Sequence, residues 1–298
     1  MGIIQFIQSF NSPFLDGFFQ AVTILGEEYF YIVALSLVFW CIDKRYGYKL
    51  SFAFLLSGVV NGVAKSIVNA SRPIGVEGIR SLRVETATGS SFPSGHTQNI
   101  TSFLVSLMKQ LRRGWVYAAG CILILLVGVS RLYLGVHWPI DVLGGILFGT
   151  VTVLLADIAF EYMERKKIKW MRLLLLLPAL IVAYVWRDSA DLVKTVGTFS
   201  GFLIGYSVES NFIRFDAKAP FWKQAVKFAL GIAVVLILKE GLKMLFPQAP
   251  VFDLVRYLIL GLWITVGAPA LFSALRLRAA AASRKEPPPE QKERPLDV

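Results

Sequence analysis

The chain has 298 residues, of which 55% are hydrophobic and 17% charged, and its mean hydropathy is +0.60. An ordinary soluble globular domain carries about a quarter charged residues and far less apolar length, so composition excludes that class. The net charge of +11 does not mark a nucleic-acid binder, because the basic residues sit in short clusters between apolar runs, a pattern that speaks of membrane topology.

The first 43 residues contain no Lys or Arg, so no ordinary signal peptide is expected; residues 1–24 read as an interfacial amphipathic segment. Apolar runs of roughly 17–25 residues are what a helix needs to cross the hydrocarbon layer. About nine follow, near 25–42, 47–68, 96–111, 115–134, 139–162, 170–187, 190–208, 222–246 and 252–275. The expected fold is therefore an all-α polytopic bundle. Basic clusters follow every second run: Lys44, Arg45 and Lys49; Lys109, Arg112 and Arg113; Arg165, Lys166, Lys167, Lys169 and Arg172; Arg214, Lys218 and Lys223; Arg276, Arg278, Arg284 and Lys285. The positive-inside rule puts these loops and the C-terminus in the cytoplasm, and the loops holding 69–95 and 131–138 on the other side. Cys41 and Cys121 fall within predicted spans and imply no disulfide framework. The charged, proline-rich residues 278–298 read as a disordered cytoplasmic tail.

Three constellations gather at the ends opposite the basic clusters. Lys65 and Arg72 stand seven residues apart, with Pro73 ending the helix and leaving Arg72 on its exit turn. Ser94 and Gly95 follow Pro93 at the mouth of the next helix, whose free amides suit an anion, and His96 comes directly after. Arg131 closes one helix; His137 precedes Trp138 and Pro139, which opens another helix with Asp141 in its first turn. A carboxylate there can reach back to one imidazole nitrogen and leave the other free as a nucleophile. Taken singly, each cation or histidine fits a snorkelling or structural role. Both histidines of the chain, a Lys, two Arg and an Asp at one membrane level instead define a functional site.

Three cations and helix amides suit a multiply charged oxyanion such as phosphate, with one histidine attacking phosphorus and the other protonating the leaving oxygen. No cluster offers metal-ligand spacing, so a metal-independent reaction without a cofactor is expected.

The three constellations resemble the signature motifs of the type 2 phosphatidic acid phosphatase superfamily, which also holds the vanadium haloperoxidases. Lys65-x6-Arg72-Pro73, Pro93-Ser94-Gly95-His96 and Ser130-Arg131-x5-His137-x3-Asp141 match every signature position in order, over roughly residues 25–162. The resemblance implies a phosphatase core at 25–164, with His137 becoming a phosphohistidine, Asp141 orienting it and His96 acting as general acid. It further implies a phosphate held by Lys65, Arg72, Arg131, Ser94 and the Gly95 amide.

The expected substrate is a membrane lipid, either a phosphatidate-type phosphate or a prenyl diphosphate such as undecaprenyl diphosphate, met on the extracytoplasmic face of a plasma membrane of bacterial type. Arg80 and Arg83, in the loop before the second motif, are candidates to grip a second phosphate; solvated loop charges are the plain alternative. Two other functions fit the same residues: a phosphotransferase that passes the phosphoryl group to a lipid hydroxyl, and a lipid transporter or scramblase. Residues 165–277 read as an additional transmembrane region, beyond where the resemblance stops. Gly197, Gly201 and Gly205 stand there at four-residue spacing, as do Gly58–Gly62 and Gly145–Gly149 earlier. Such stripes serve close helix packing, within the chain first and between protomers of a homo-oligomer second. The charged residues of the later spans, Lys239, Glu240 and Lys243 among them, are expected mostly at interfaces, with Lys239 and Glu240 paired inside the bundle as the alternative.

Overall fold

The computed structural model describes residues 2–166 and 171–277, and these form helices without any strand. The predicted tail with Arg278, Arg284 and Lys285, and also Lys167 and Lys169, lie outside the described residues.

Two short helices, α1 (Gly2–Gln8) and α2 (Pro13–Thr23), precede α3 (Glu28–Leu37), which runs on through a wide π turn at Val38–Ile42. Four long helices follow: α4 (Lys44–Val68), α5 (Gly95–Leu111), α6 (Gly114–Tyr133) and α7 (Pro139–Arg165). The remainder comprises α8 (Met171–Leu174), α9 (Leu176–Val185), α10 (Ala190–Val208), α11 (Phe221–Leu245), α12 (Pro250–Leu262) and α13 (Ala268–Ala274). Local chemistry sets the ends that matter for the site. Asp43 caps α4 by accepting from the Tyr46 amide at 2.8 Å, and Asn69, at φ 44°, stops it in the left-handed conformation that Asn tolerates. Arg72 thus stands on the exit turn, as its neighbour Pro73 requires.

Among the described residues, four stretches are long and apolar enough to cross a membrane: Lys44–Val68, Gly114–Tyr133, Pro139–Arg165 and Pro250–Ala274. A bent pair, Pro13–Gly26 with Glu28–Ile42, turns by 51° and makes five if it is one span. That is fewer than the nine runs read from the sequence, although helices stand at the other predicted places. The reasons are local. The 17 residues of α5 include Thr97, Gln98, Asn99, Thr101 and Ser102, α9 has 10 residues, and α11 carries Lys223, Lys227, Lys239, Glu240 and Lys243.

The polar face of α5 is turned inward. Gln98 donates to Ser57 Oγ at 2.9 Å and accepts from Asn61 Nδ2 at 2.8 Å, while Ser102 donates to Ser57 Oγ at 2.7 Å, so α4 and α5 are laced together just beneath the loops. On the other side of α5, Gly145 and Gly149 let α7 approach; a Cβ on Gly145 would stand 2.8 Å from the Ser94 carbonyl oxygen. In the later half, Gly197, Gly201 and Gly205 face the backbone and side chains of α12 and its π turn. The glycine stripes therefore serve packing inside the chain. Lys239 and Glu240 are not paired with each other: Lys239 meets Glu28 Oε2 at 3.1 Å over the Tyr29 ring, and Glu240 accepts from Tyr29 Oη at 3.2 Å. Adjacent residues on a helix point about 100° apart, so each found its partner on α3 instead.

The basic clusters do converge at one end. Lys49 and Lys109 both approach Asp157, Arg45 and Lys49 approach Glu161, Arg172 meets Glu164, and Lys44 meets the buried Glu209. Lys65 lies sixteen residues beyond Lys49 on the same helix, roughly 24 Å along its axis at about 1.5 Å per residue. The two charged levels are separated by most of a hydrocarbon layer about 30 Å thick.

Candidate active site

The site forms where the ends of α4, α5, α6 and α7 meet the loop that joins α4 to α5. Pro139 opens α7 with its ring, and Asp141, two residues on, turns its carboxylate back to accept from the Trp138 amide at 2.7 Å. That fold-back brings Asp141 Oδ2 to 3.3 Å from His137 Nδ1. A third donor, Ser91 Oγ, reaches the same oxygen at 2.5 Å. Ser91 is wholly buried, with its amide donating to the Ala70 carbonyl at 2.9 Å, and was not singled out in the sequence, where its place three residues before Ser94 was the available signal.

The other imidazole nitrogen is also defined. Arg72 Nη1 lies 3.0 Å from His137 Nε2. A guanidinium only donates, so Nε2 accepts, and the ring proton sits on Nδ1 facing Asp141. Burial, reinforced by Arg131, Arg72 and Lys65, holds the His137 pKa well below its ordinary value, which keeps the ring neutral and its Nε2 lone pair available.

Among the described residues, no carboxylate forms an ion pair with the cations around this histidine. Lys65 donates to the Ser90 carbonyl, and Arg72 donates to the carbonyls of Thr88, Gly89, Ser90 and Val136. Arg131 is fully buried, donates from Nη1 to Thr23 Oγ1 at 2.8 Å, and leaves Nε and Nη2 without a partner. Ser94 is held at the start of α5: its amide donates to the Asp141 carbonyl at 2.9 Å, and its Oγ accepts from Thr97 Oγ1 at 3.0 Å. The amides of Gly95 and His96 open a helix and have no preceding turn to bond. His96 Nε2 is buried without a partner. A cavity of about 970 Å³ is lined by Lys65, Arg72, Gly95, His96 and His137 together. The two histidines therefore face one space.

Arg80 and Arg83, read from sequence as grips for a second phosphate, do not line that cavity. Asp16 on α2 holds Arg80 in a two-point ion pair at 2.6 and 2.8 Å, and Glu27 lies 2.7 Å from Arg83 Nη2. These acidic partners lie 64 and 56 positions away in sequence, so only folding brings them there. No group of three His, Cys, Asp or Glu among the described residues is placed to hold a metal ion.

Fold and site together define a helical membrane protein with a pocket that presents two imidazoles beside Lys65 and Arg72. Residues 46–167 match the PAP2 superfamily, and residues 193–283 match the PAP2 superfamily phosphatase transmembrane extension. An undecaprenyl-diphosphatase of Sulfolobus acidocaldarius is 33% identical over 138 residues, 46% of this chain and 66% of that protein. YbjG of Escherichia coli is 31% identical over 153 residues, 49% of this chain and 76% of that protein. A mouse sphingosine-1-phosphate phosphatase 1 is 25% identical over 253 residues, 74% of this chain but 58% of that protein, so little more than half its length is spanned. The chain belongs to the PAP2 superfamily, as a membrane phosphatase of that group. The match to the compact core ends at residue 167, close to where the resemblance read from the three motifs stops, and the later helices match the separate transmembrane extension of the same superfamily.

Proposed function

We propose that the chain hydrolyses a lipid phosphate or prenyl diphosphate by way of a phosphohistidine on His137. The observation that carries this reading is the clamp on that ring, with Asp141 at Nδ1 and Arg72 at Nε2, beside three cations that form no ion pair among the described residues. An incoming phosphoryl group supplies the missing negative charge. Arg72 then shifts from Nε2 to a phosphoryl oxygen, and Lys65, Arg131, Ser94 and the Gly95 amide stabilise the remaining charge. The Nε2 lone pair attacks phosphorus as the P–O bond to the lipid breaks, and His96 gives its proton to the departing oxygen. Water next attacks the phosphorus–nitrogen bond, His96 takes back a proton, and inorganic phosphate leaves. Asp141 stabilises the charged ring in between.

The site faces the extracytoplasmic side in this reading, supported by the basic clusters at the other end, and no metal takes part. The names of the relatives support two substrate classes, prenyl diphosphates and sphingoid phosphates. Purified protein assayed with both, with phosphatidate, and with chelator present, decides among them. His137→Ala loses phosphate release by at least about 10³-fold while still inserting in the membrane, since the nucleophile is gone. Acid-quenched wild-type protein retains label from a ³²P-labelled substrate and His137→Ala does not; equal labelling of the two would remove the mechanism. Accumulation of a new phospholipid in place of free phosphate would reassign the second step to a lipid hydroxyl.

A further inference from the structure

The cavity that reaches His137 does not end at the phosphate site. It continues along α4 from Lys65 to Ser51, fourteen residues and roughly 21 Å at about 1.5 Å per residue. Half of a hydrocarbon layer about 30 Å thick is shorter than that, so a lipid chain reaching across one leaflet would fit lengthwise. Its volume of about 970 Å³ stands at the upper end of ligand cavities, roughly 300–1,000 Å³. The deep part has two walls of different origin. Leu35 and Leu55 come from the phosphatase core; Phe202, Val235, Leu260 and Ile264 come from α10, α11, α12 and the turn after it. The Thr265 hydroxyl on that wall is spent on the Gly261 carbonyl at 2.7 Å. One end of the space carries Lys65 and Arg72, with Glu85 and Asp191 also on its lining, and the other is mainly apolar with the Ser36 and Ser51 hydroxyls among its lining, so an amphiphile enters with its anionic head toward the two cations.

We infer that the later helices build a chamber for the hydrocarbon chain of the substrate, and so select the lipid by its chain. This rests on the lipid-phosphatase reading above, and it assigns residues 190–267 a role that the three motifs do not touch. The occupant is a long alkyl or isoprenoid chain, because the deep wall of Leu35, Leu55, Phe202, Val235, Leu260 and Ile264 offers water few of the polar partners it needs.

The test compares hexadecyl phosphate with butyl phosphate in detergent. Ile264→Trp and Leu55→Trp, which narrow the deep chamber from its two walls, lower the long-to-short ratio of kcat/KM at least tenfold while butyl phosphate turnover stays within twofold of wild type. An unchanged ratio, or an equal loss on both substrates, overturns the chamber. Should wild-type protein release phosphate from neither, the functional reading fails, and the chamber is judged by binding instead. For that, His137→Ala protein is photolabelled with hexadecyl phosphate bearing a diazirine at the chain end. Label at Phe202, Val235 or Ile264 supports it, and label confined to outward-facing side chains such as Leu236 and Ile237 overturns it.

Discussion

At the scale of single residues, the site is governed by what surrounds His137. Asp141 Oδ2 takes three donors, from Ser91, Trp138 and the imidazole, which fixes the carboxylate and through it the ring. Ser91→Ala removes one of them without touching the phosphate pocket. It should lower kcat about tenfold with KM within twofold, and Ser91→Thr should recover part of the loss; steady-state kinetics of the two variants check this. The depressed pKa of His137 also has a sign that can be read. Attack needs the neutral ring, and its pKa lies well below 6.5 for reasons of burial and three nearby cations. Activity that depends on the neutral form therefore persists as pH falls past 6.5 and is lost only as pH falls through the lowered value. The pH profile of kcat/KM, with the substrate's own ionisation measured separately, should show no acid limb from the enzyme near 6.5.

At the scale of elements, the packing of α10 on α12 rests on small residues that let the two backbones approach. A Cβ on Gly201 would collide with the Leu258 carbonyl of α12, whereas one on Gly241 of α11 meets nothing within 4 Å. Gly201→Ala should therefore destabilise the later helices by about 1–3 kcal/mol, the usual cost of forcing extra volume into a packed contact. Gly241→Ala should be neutral or stabilising by about 0.4–1 kcal/mol through the unfolded chain. Thermal unfolding of both variants in the same detergent separates the two. Because α10 is also a wall of the chamber, Gly201→Ala is expected to disturb long-chain substrates more than short ones. The start of α7 links local rule to chemistry in the same way: Pro139 sets the turn, and Asp141, three residues after Trp138, both satisfies that turn and orients the imidazole.

At the scale of the whole molecule, charge is sorted by level. Lys44, Arg45, Lys49, Lys109 and Arg172 meet acidic partners at one end; at the other Arg80 and Arg83 do so too, while Lys65, Arg72 and Arg131 form no ion pair among the described residues. A cation left unpaired near the bilayer is costly, which supports the proposal that these three wait for an anionic ligand. The extracytoplasmic placement proposed for the site can be tested by labelling. With Cys41 and Cys121 replaced, Glu77→Cys in the exposed loop before the second motif should react with a membrane-impermeant maleimide on intact cells. Arg165→Cys should react only after permeabilisation. The reverse pattern would place the site in the cytoplasm.

Sequence alone determined the helical membrane class, the three constellations that meet at one end and the sorting of basic clusters, because apolar length, capping chemistry and motif spacing are short-range properties of the chain. Only the tertiary structure decided which charges are free. Asp16 claims Arg80, Glu27 stands against Arg83, Thr23 takes one nitrogen of Arg131, and Ser91 joins Asp141, all across separations that no periodicity encodes. The same holds for the later helices, whose apolar residues look alike in sequence and acquire a purpose only where Phe202, Val235 and Ile264 close a space against the core. Packing chooses partners among many equivalent side chains, and that choice exists only once the backbones have met.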